Sequence, residues 1–333
     1  MKPFQKQVIA SAFMGIIVPG MILGVAVGAS RKRPSQTVTS IETTQVAITQ
    51  SQNSGQTQQL YIPVEMKDGQ VRQMDLEEYL VGVVLAEMPA SFELEAHKAQ
   101  AVVARTYALK RFKTGTKHDS GGVCTNSACC QAYRSPEDYL SDGGSEEDLN
   151  KIRSAVTATA GQVLLYDQEL IEATYFSCSG GMTEDSLAVW GLDVPYLKAT
   201  ESPREEAAAY YTDTVYFTAS EFRDKLGQNF PGTPTVWLGE QTRTDGGGVE
   251  SMVIGGITYK GTTLRQLLGL RSTAFTMFAD SGGITVQTRG FGHRVGMSQY
   301  GADAMAVSGS TYQQILAHYY AGTELAVYEP QNN

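Results

Sequence analysis

The residue best suited to acid–base chemistry is Glu87, in the AEMP segment at residues 86–89. The apolar side chains of Val83, Val84 and Leu85 precede it, and Pro89 ends the run. A carboxyl in such surroundings loses water, which disfavours its charged form, raises its pKa and suits a general acid. The alternative is an exposed glutamate near a helix C-terminus, and spacing alone does not separate the two.

A second constellation is an H-x5-C-x5-C pattern formed by His118, Cys124 and Cys130 in a glycine-rich segment. Thiolates and an imidazole that converge on one point are ligands for zinc. Cys129 is an alternative to Cys130 as a ligand. The competing interpretation is a disulfide between neighbouring cysteines or with Cys178. Three protein ligands leave one position open, so the spacing does not distinguish a structural from a catalytic metal.

A third constellation is the segment GFGHRVGMSQYG at residues 290–301. Glycines on both sides of His293 let the backbone approach a ligand closely. The side chains of His293, Ser298 and Gln299 are suited to bonding sugar hydroxyls and amides. The alternative is a tight turn followed by a capped helix start.

The segment YFSCSGG at residues 175–181 ends a predicted strand and opens a loop. Loops at strand ends often carry binding groups, so Tyr175 and Ser177 are candidates. A serine nucleophile is not favoured because the flanking residues do not match a nucleophile elbow.

Helices and strands must position these residues, and they are mixed without regular βαβ order. This pattern predicts an α+β fold. Helical spacing is found at residues 76–88, 93–113 and 311–320, and strands are predicted at residues 60–66, 71–74, 163–166 and 171–176. Residues 211–278 alternate strands with one helix, and the glycines at 246–248 are a hairpin turn.

The N-terminus predicts a membrane anchor at residues 7–30, because residues 8–29 are almost wholly apolar or small. A cleaved signal peptide and a buried helix of a soluble domain are the alternatives. The numbers of positive charges before and after this segment are nearly equal, so the flanking charges do not set its orientation in the membrane. The predicted organisation is a short tail at 1–6, the anchor, a flexible linker at 31–59 rich in Ser, Thr and Gln, one domain at 60–327 and a tail at 328–333.

The chain has 333 residues, a net charge of -9 and a sequence pI near 5.1. That acidity argues against nucleic acid as a partner, because phosphate binding needs a basic face. Its four cysteines are too few and too crowded for a disulfide scaffold.

Six ordered motifs give the chain a resemblance to the stage II sporulation protein D family over residues 60–327. They are LEEYL at 76–80, AEMPASFELEAHKAQAVVARTYAL at 86–109, YFSCSGGMTED at 175–185, GLRST at 269–273, GFGHRVGMSQYGA at 290–302 and ILAHYYAGTEL at 315–325. A lone EMP motif would be weak evidence, whereas this order is specific. Two departures are Arg294, where the family usually has glycine, and His97, where it usually has leucine.

The resemblance implies a two-lobed α+β catalytic domain with a long substrate cleft, and a lytic transglycosylase that cuts peptidoglycan glycan strands. It assigns catalysis to Glu87 and Arg105, and substrate binding to Tyr175, Ser177, His293, Ser298 and Gln299. Clostridial members share the zinc motif at His118, Cys124 and Cys130, whereas Bacillus members lack it. We expect this zinc to be structural, because cleavage by Glu87 needs no metal.

The family also implies partners and a location. The partners are the sporulation proteins M and P, the latter an amidase that removes stem peptides, so the expected substrate is a denuded glycan. Because peptidoglycan lies outside the membrane, residues after the anchor are expected to be extracytoplasmic and the tail at 1–6 cytoplasmic, on a single-pass membrane protein.

Other assignments compete with this one. A second carboxylate would be needed for ordinary glycoside hydrolysis, and Glu172, Glu184 and Asp185 are the candidates. A zinc-dependent amidase or peptidase using the His and Cys residues would release peptides. A non-catalytic glycan-binding module would release nothing.

Overall fold

The structure is a computed structural model that describes residues 59–115 and 117–329. The predicted cytoplasmic tail, membrane anchor and nearly all of the linker lie outside the described residues, as do the last four residues. Within the described part, no helix combines the length and apolar character needed to cross a bilayer.

Nine α-helices are present in the described residues. They are α1 Leu76–Glu87, α2 Leu94–Thr114, α3 Pro136–Ser141, α4 Glu146–Ala158, α5 Ser186–Trp190, α6 Ala219–Leu226, α7 Gly261–Leu268, α8 Gln299–Val307 and α9 Tyr312–Tyr319. A short 3-10 helix covers Pro234–Val236.

The strands are short and form several small sheets. They are β1 Tyr61–Glu65, β2 Val71–Asp75, β3 Val123–Cys124, β4 Gln162–Tyr166, β5 Glu169–Leu170, β6 Tyr175–Phe176, β7 Thr212–Thr218, β8 Leu238–Arg243, β9 Val249–Ile254, β10 Ile257–Lys260, β11 Phe275–Ala279, β12 Gly283–Arg289, β13 Met297–Ser298 and β14 Glu324–Val327. The sheet orders are β2-β1-β3, β10-β9-β8, β11-β12-β7, β13-β6 and β14-β4-β5.

The first helix ends at Glu87 for reasons visible in the sequence. Asp75 accepts a hydrogen bond from the backbone N–H of Glu78 and caps the N-terminus of α1. Met88 is extended, with φ -125 and ψ 142, and Pro89 follows it. A residue before proline is pushed out of the helical region, so the helix stops with Glu87 in its last turn.

The long helix α2 packs on α1, α4, β4, α8 and α9. These elements, gathered around α2, make the first of two regions of the structure. Small side chains allow this crowding, and Ala96, Ala99, Ala101 and Ala104 are fully buried. Helices can approach closely where residues are small, so α2 holds together elements that are far apart in sequence.

A separate hydrophobic core lies within β7 to β12 and makes a second region. It is built on the aromatic residues Phe217, Phe222, Phe230 and Trp237 together with leucines of α7. The chain therefore has mixed helices and sheets around more than one core, which agrees with the predicted mixture of helices and strands.

Three details differ from the sequence prediction. Residues 171–176 do not form one strand, because only Tyr175–Phe176 is extended and paired there. Residues 211–278 contain two helices, α6 and α7, instead of one. In the third, the alternative interpretation of the glycine-rich segment is confirmed, because α8 begins at Gln299, directly after the loop, with Ser298 as its cap.

Candidate active site and metal cluster

Glu87 lies at the C-terminal end of α1 with its carboxyl only partly exposed. Burial raises its pKa from the usual value, and the hydrogen bond from the Ala132 backbone opposes this rise without cancelling it, as do the nearby side chains of Tyr175 and then Gln299. The Ala132 N–H donates to Oε1 across 2.6 Å. A carboxyl that is desolvated yet held by donors is a suitable general acid.

Tyr175 is bound to a chain of buried polar groups behind Glu87. The hydroxyl of Tyr79 donates to Oε1 of Gln131 across 3.4 Å, and Nε2 of Gln131 donates to the hydroxyl of Tyr175 across 3.2 Å. Burial and then the charge of Glu87 raise the pKa of Tyr175 well above its usual range. Tyr175 therefore stays protonated and can donate a hydrogen bond to the carboxylate.

A parallel pair of two-residue strands brings Tyr175 beside the glycine-rich loop. Met297 of β13 aligns with Tyr175 of β6. The approach requires glycine at Gly296, where φ is +84 and an added Cβ would lie 2.1 Å from the Thr174 carbonyl oxygen. The sequence interval between these strands is more than one hundred residues, yet they form one wall of the site.

His293 lies in this wall as a neutral ring. Its Nδ1 accepts a hydrogen bond from the backbone N–H of Val295 across 3.1 Å, and its ring packs against Phe176 and Trp190. Burial first, and then the positive charge of Arg265, lower the pKa of His293 to about 3. The ring is thus a neutral polar surface and not a cation at neutral pH.

Gln299 is the first residue of α8 and is almost fully buried. Its Nε2 atom has no hydrogen bond of full geometry among the described residues, although the side chain lies near enough to Glu87 to lower the pKa of that carboxyl. A buried amide nitrogen without a partner is costly, and a bound ligand would satisfy it.

Ser298 and Ser177 have structural contacts. The Ser298 side chain is fully buried, caps α8 by accepting from the Gly301 N–H, and donates to the Ser177 carbonyl oxygen. Its donor and one of its acceptor sites are used in these contacts, so the described structure gives Ser298 a helix-capping role, and its role in substrate binding stays a prediction. Ser177 contributes its carbonyl to this cap and to the Tyr300 N–H.

The predicted role of Arg105 also needs correction. Its side chain is fully buried and donates to both carboxylate oxygens of Glu77, at 2.8 Å from Nε and 2.5 Å from Nη2, and to backbone carbonyls. Glu77 precedes Glu87 by ten residues, which is about 15 Å along a helix at 1.5 Å per residue. Arg105 therefore fixes α2 to the start of α1 and does not contact the acid.

The three acids considered as a second carboxylate interact with other residues. Glu172 pairs with Lys110 and Arg111. Glu184 pairs with Arg294 in the interior, and Asp185 caps α5. Each of these acids therefore has partners of its own, and none has a hydrogen bond with Glu87 in the described residues.

Sequence reasoning missed the anchor of the loop that follows Tyr175. Oε2 of the buried Glu205 accepts from the backbone N–H groups of Ser179 and Gly180 and from the Ser179 hydroxyl, at 2.7 to 2.9 Å. Its Oε1 accepts from Ser202. No motif marks Glu205, because the loop residues Ser179 and Gly180 lie about 25 residues away and only the fold brings them to it.

The predicted metal ligands converge with one addition. Ligand atoms of His118, Cys124, Cys129 and Cys130 all lie within 4.8 Å of one another. These cysteines and Cys178 are free thiols, which removes the disulfide alternative for the described cysteines. Four donors of the Cys3His type fit a closed tetrahedral zinc site, in which Cys129 is a candidate fourth ligand in addition to Cys130.

The surroundings of the cluster also suit a metal. Nδ1 of His118 lies 3.2 Å from Oε2 of Glu65, while Nε2 faces the thiols. A carboxylate on the second nitrogen orients a metal-binding imidazole. Glu65 is in place because β1 pairs with β3, where it aligns with Cys124. The cluster is adjacent in sequence to a partner of Glu87, because Cys130 is followed by Gln131 and then by Ala132, whose N–H donates to Glu87.

Two surface pockets lie apart from these residues. One is lined by residues that include Phe112 and Tyr328, and the other by residues that include Arg223 and Asn229. Neither is lined by Glu87, Tyr175, His293 or Gln299, so the substrate cleft stays a prediction.

Comparisons with known proteins agree with the motifs. The family model described as Stage II sporulation protein matches residues 65–166. Stage II sporulation protein D of Bacillus subtilis strain 168 is 42% identical over 271 residues, covering 80% of this chain and 78% of that protein. The protein of the same name from Bacillus amyloliquefaciens is 41% identical over 261 residues, covering 77% and 75%.

A more distant relative is the amidase enhancer of Bacillus subtilis strain 168, at 31% identity over 307 residues. The match covers 75% of this chain and 40% of that protein. Identity above 40% over most of both chains shows that this protein belongs to the stage II sporulation protein D family, a family of sporulation proteins associated with cell-wall remodelling.

Proposed function

We propose that this protein is a peptidoglycan lytic transglycosylase that cleaves the bond between N-acetylmuramic acid and N-acetylglucosamine. The supporting observation is the carboxyl of Glu87, whose pKa is raised by burial, which accepts a hydrogen bond from the Ala132 N–H and which lies near Tyr175 and Gln299. Such a carboxyl is protonated over a wider pH range than a free glutamate, as a general acid requires.

One carboxyl is enough for this reaction. Glu87 donates its proton to the glycosidic oxygen, the bond from that oxygen to the anomeric carbon breaks, and the ring passes through an oxocarbenium-like state. The carboxylate then takes the proton of the muramic acid 6-hydroxyl, whose oxygen bonds to the anomeric carbon. The products are a free 4-hydroxyl and a 1,6-anhydro end, Glu87 is again protonated, and no water is consumed.

The other residues around Glu87 have supporting roles in this proposal. Tyr175 donates a hydrogen bond to the carboxylate in the step when it is charged. Gln299 offers a buried amide nitrogen to an acetamido or hydroxyl oxygen of the sugar. His293, neutral and packed on Phe176 and Trp190, supplies a further surface for the glycan.

We propose that the cluster of His118, Cys124, Cys129 and Cys130 holds Zn2+ in a structural role. Four protein donors leave no position for a substrate or an activated water, unlike a catalytic site with three protein ligands. The metal would fix the segment that ends at Gln131 and Ala132, both of which contact the Glu87 network.

The cellular setting is part of the proposal. Septal wall remodelling and engulfment in sporulation, on denuded strands and with the sporulation proteins M and P, fit the family. An anchor at residues 7–30 would place the domain on the outer side of the membrane, where its substrate lies.

The test is mass spectrometry of peptide-free glycan strands incubated with the full chain, wild type beside Glu87→Gln. We expect fragments with 1,6-anhydro-muramic acid ends from the wild type and none from the variant. Reducing ends would instead indicate a hydrolase, and binding without release would indicate a glycan-binding module.

A further inference from the structure

Arg265 has an unusual position for an arginine that is only partly exposed. It lies in the last turn of α7, and its side-chain nitrogens have no hydrogen bond or ion pair with any residue in the described part of the chain. Its neighbours in sequence and space are partnered: Arg271 pairs with Asp213, and Arg294 pairs with Glu184.

Backbone contacts place the end of α7 against the glycine-rich loop. The carbonyl oxygen of Arg265 accepts from the N–H of Leu270, which turns the chain after the helix. The next residue, Arg271, then accepts from the N–H of Gly292 across 3.0 Å. Leu264 and Leu268 of α7 are buried in the core of the second region, so Arg265 lies at the rim of that core, at the end of the helix whose following turn contacts the loop that carries His293.

The electrostatics agree with this position. The charge of Arg265 contributes to the lowered pKa of His293. Burial, and then the charge of Arg294, lower the pKa of Arg265 to about 10. The charge of Arg294 is matched by Glu184, whereas no carboxylate in the described residues stands within salt-bridge distance of Arg265.

A guanidinium that is partly exposed and pairs with no protein group in the described residues keeps its N–H donors available to a ligand, and its positive charge favours an anion. Five N–H donors in a planar fork fit a carboxylate with two parallel hydrogen bonds. Arg265 would then lie near the wall of the site that His293 and Tyr175 form beside Glu87.

We propose that Arg265 is a specificity-determining residue that binds a carboxylate carried by the glycan strand in the Glu87 site. The proposal rests on the proposed action on peptidoglycan and names the group that is recognised. Muramic acid carries a lactyl group that ends in a carboxylate when no stem peptide is attached. Attachment of a peptide converts that group to an amide, and N-acetylglucosamine lacks it. A stem peptide offers a carboxylate of its own at its end, which is the second source of the same chemistry.

The experiment measures binding in a Glu87→Gln background, so that strands are not consumed, using the full chain and isothermal titration calorimetry. The probes are peptide-free strands, the same strands with the lactyl carboxylate converted to a methylamide, and peptide-bearing strands with and without amidated peptide ends. The variants are Arg265→Gln, Arg265→Lys and, as a control for net charge in the same region, the exposed Lys225→Gln. Thermal unfolding of each variant verifies folding.

We expect Arg265→Gln to weaken binding of a carboxylate-bearing strand by about tenfold or more, since hydrogen bonds to charged groups are worth that much. It should have no effect on the strand whose carboxylate has been amidated. Arg265→Lys should restore part of the affinity, and Lys225→Gln should leave it unchanged. If amidation of the lactyl carboxylate abolishes the loss of affinity in Arg265→Gln, the lactyl group is the carboxylate that is bound. If amidation of the peptide end abolishes it, the peptide carboxylate is bound.

The proposal is overturned if Arg265→Gln changes binding equally for free and amidated strands, changes nothing, or if free-carboxylate strands do not bind at all. Cleavage by the wild type is scored separately. Binding that depends on Arg265 without release of anhydro ends would sink the proposed lyase activity and leave this inference standing.

Discussion

The backbone N–H of Ala132 donates to Oε1 of Glu87 across 2.6 Å, and Ala132 is two residues beyond Cys130 of the metal cluster. The intervening Gln131 is fully buried and bonds Tyr79 and Tyr175. The segment that leaves the cluster therefore supplies a hydrogen bond to the candidate acid and the support behind its neighbour. The conformation of the loop that carries the His and Cys cluster and the geometry of Glu87 are therefore coupled through Gln131 and Ala132.

This coupling predicts the effect of losing the metal. We expect a single Zn2+ per chain in the wild type, and a loss of metal affinity of tenfold or more in Cys129→Ser, as for other changes around metal ligands. The rate of glycan cleavage should fall and Tm should drop, because Ala132 is no longer fixed. Elemental analysis by mass spectrometry, with activity and thermal unfolding, provides the measurement.

The matched control for that prediction is Cys178→Ser. Cys178 is also a buried free thiol, but it donates to Glu205 at a distance from the cluster. Its substitution should leave metal content unchanged. Equal metal loss in both variants, or full metal content in Cys129→Ser, would contradict the four-ligand site.

The raised pKa of Glu87 predicts the pH dependence of cleavage. The acid must be protonated to act, so kcat/KM should be flat at low pH and fall as pH rises through that pKa. Tyr175 lowers this pKa by a hydrogen bond, hence Tyr175→Phe should move the descending limb to higher pH. Tyr196→Phe is the control, because Tyr196 bonds the Glu172 N–H and not Glu87. A limb that stays in place in Tyr175→Phe would show that Tyr175 does not act on the acid.

The same shift predicts a stability effect of Glu87→Gln. A carboxyl with a raised folded-state pKa contributes stability that is present below its unfolded value, here 4.5, and is lost as pH rises through the folded value. The Glu87→Gln variant has no titrating group at this position and so does not lose this stability as pH rises. Its Tm should match the wild type at low pH and exceed it increasingly as pH rises. The exposed Glu78→Gln on the same helix should show no such trend. Thermal unfolding across this pH range tests it, and a gain that is independent of pH would refute the linkage.

The sequence predicted Glu87, Tyr175 and Gln299 together with three metal ligands, since each sits in a motif with local meaning. It did not predict what Arg105, Ser298 or Glu205 contact. A buried guanidinium bonds whichever carboxylate the helix packing supplies, and Glu77 is 28 residues away from Arg105. A serine after a glycine-rich loop suits either a ligand or a helix cap, and only the start of α8 at Gln299 decides in favour of the cap.

The structural role of Arg105 predicts a folding defect. Removing one partner of a buried ion pair costs about 3–5 kcal/mol, and the exposure of Glu77 puts the expected loss of unfolding free energy for Arg105→Gln toward the lower end. Arg105→Lys should lose less stability and retain kcat in its folded form. Urea unfolding and single-turnover cleavage separate the two effects. A folded Arg105→Lys protein with unchanged stability and a kcat lowered a hundredfold would show that Arg105 takes part in the chemistry after all.

Arg294 occupies a position in the glycine-rich loop where the family usually has glycine. Its φ is +67, in the region that favours glycine, which is the usual family residue there. In this chain the side chain compensates for that strain with buried bonds to Glu184, the Ser179 and Met182 carbonyls and the Gly246 carbonyl of the β8–β9 hairpin. It thus ties the loop after Tyr175, the glycine-rich loop and the second region together.

Arg294→Gly should therefore destabilise the protein by about 3 kcal/mol despite relieving the backbone, because Glu184 is left buried without its cation. Adding Glu184→Gln should recover part of this loss, with a coupling energy of roughly 0.5–3 kcal/mol in a double-mutant cycle by urea unfolding. Arg204→Gly is the matched control, since Arg204 has a φ of +65 but is exposed. It should be neutral or slightly stabilising. If Arg294→Gly behaved like Arg204→Gly, the ion pair would contribute nothing and the strain alone would govern this position.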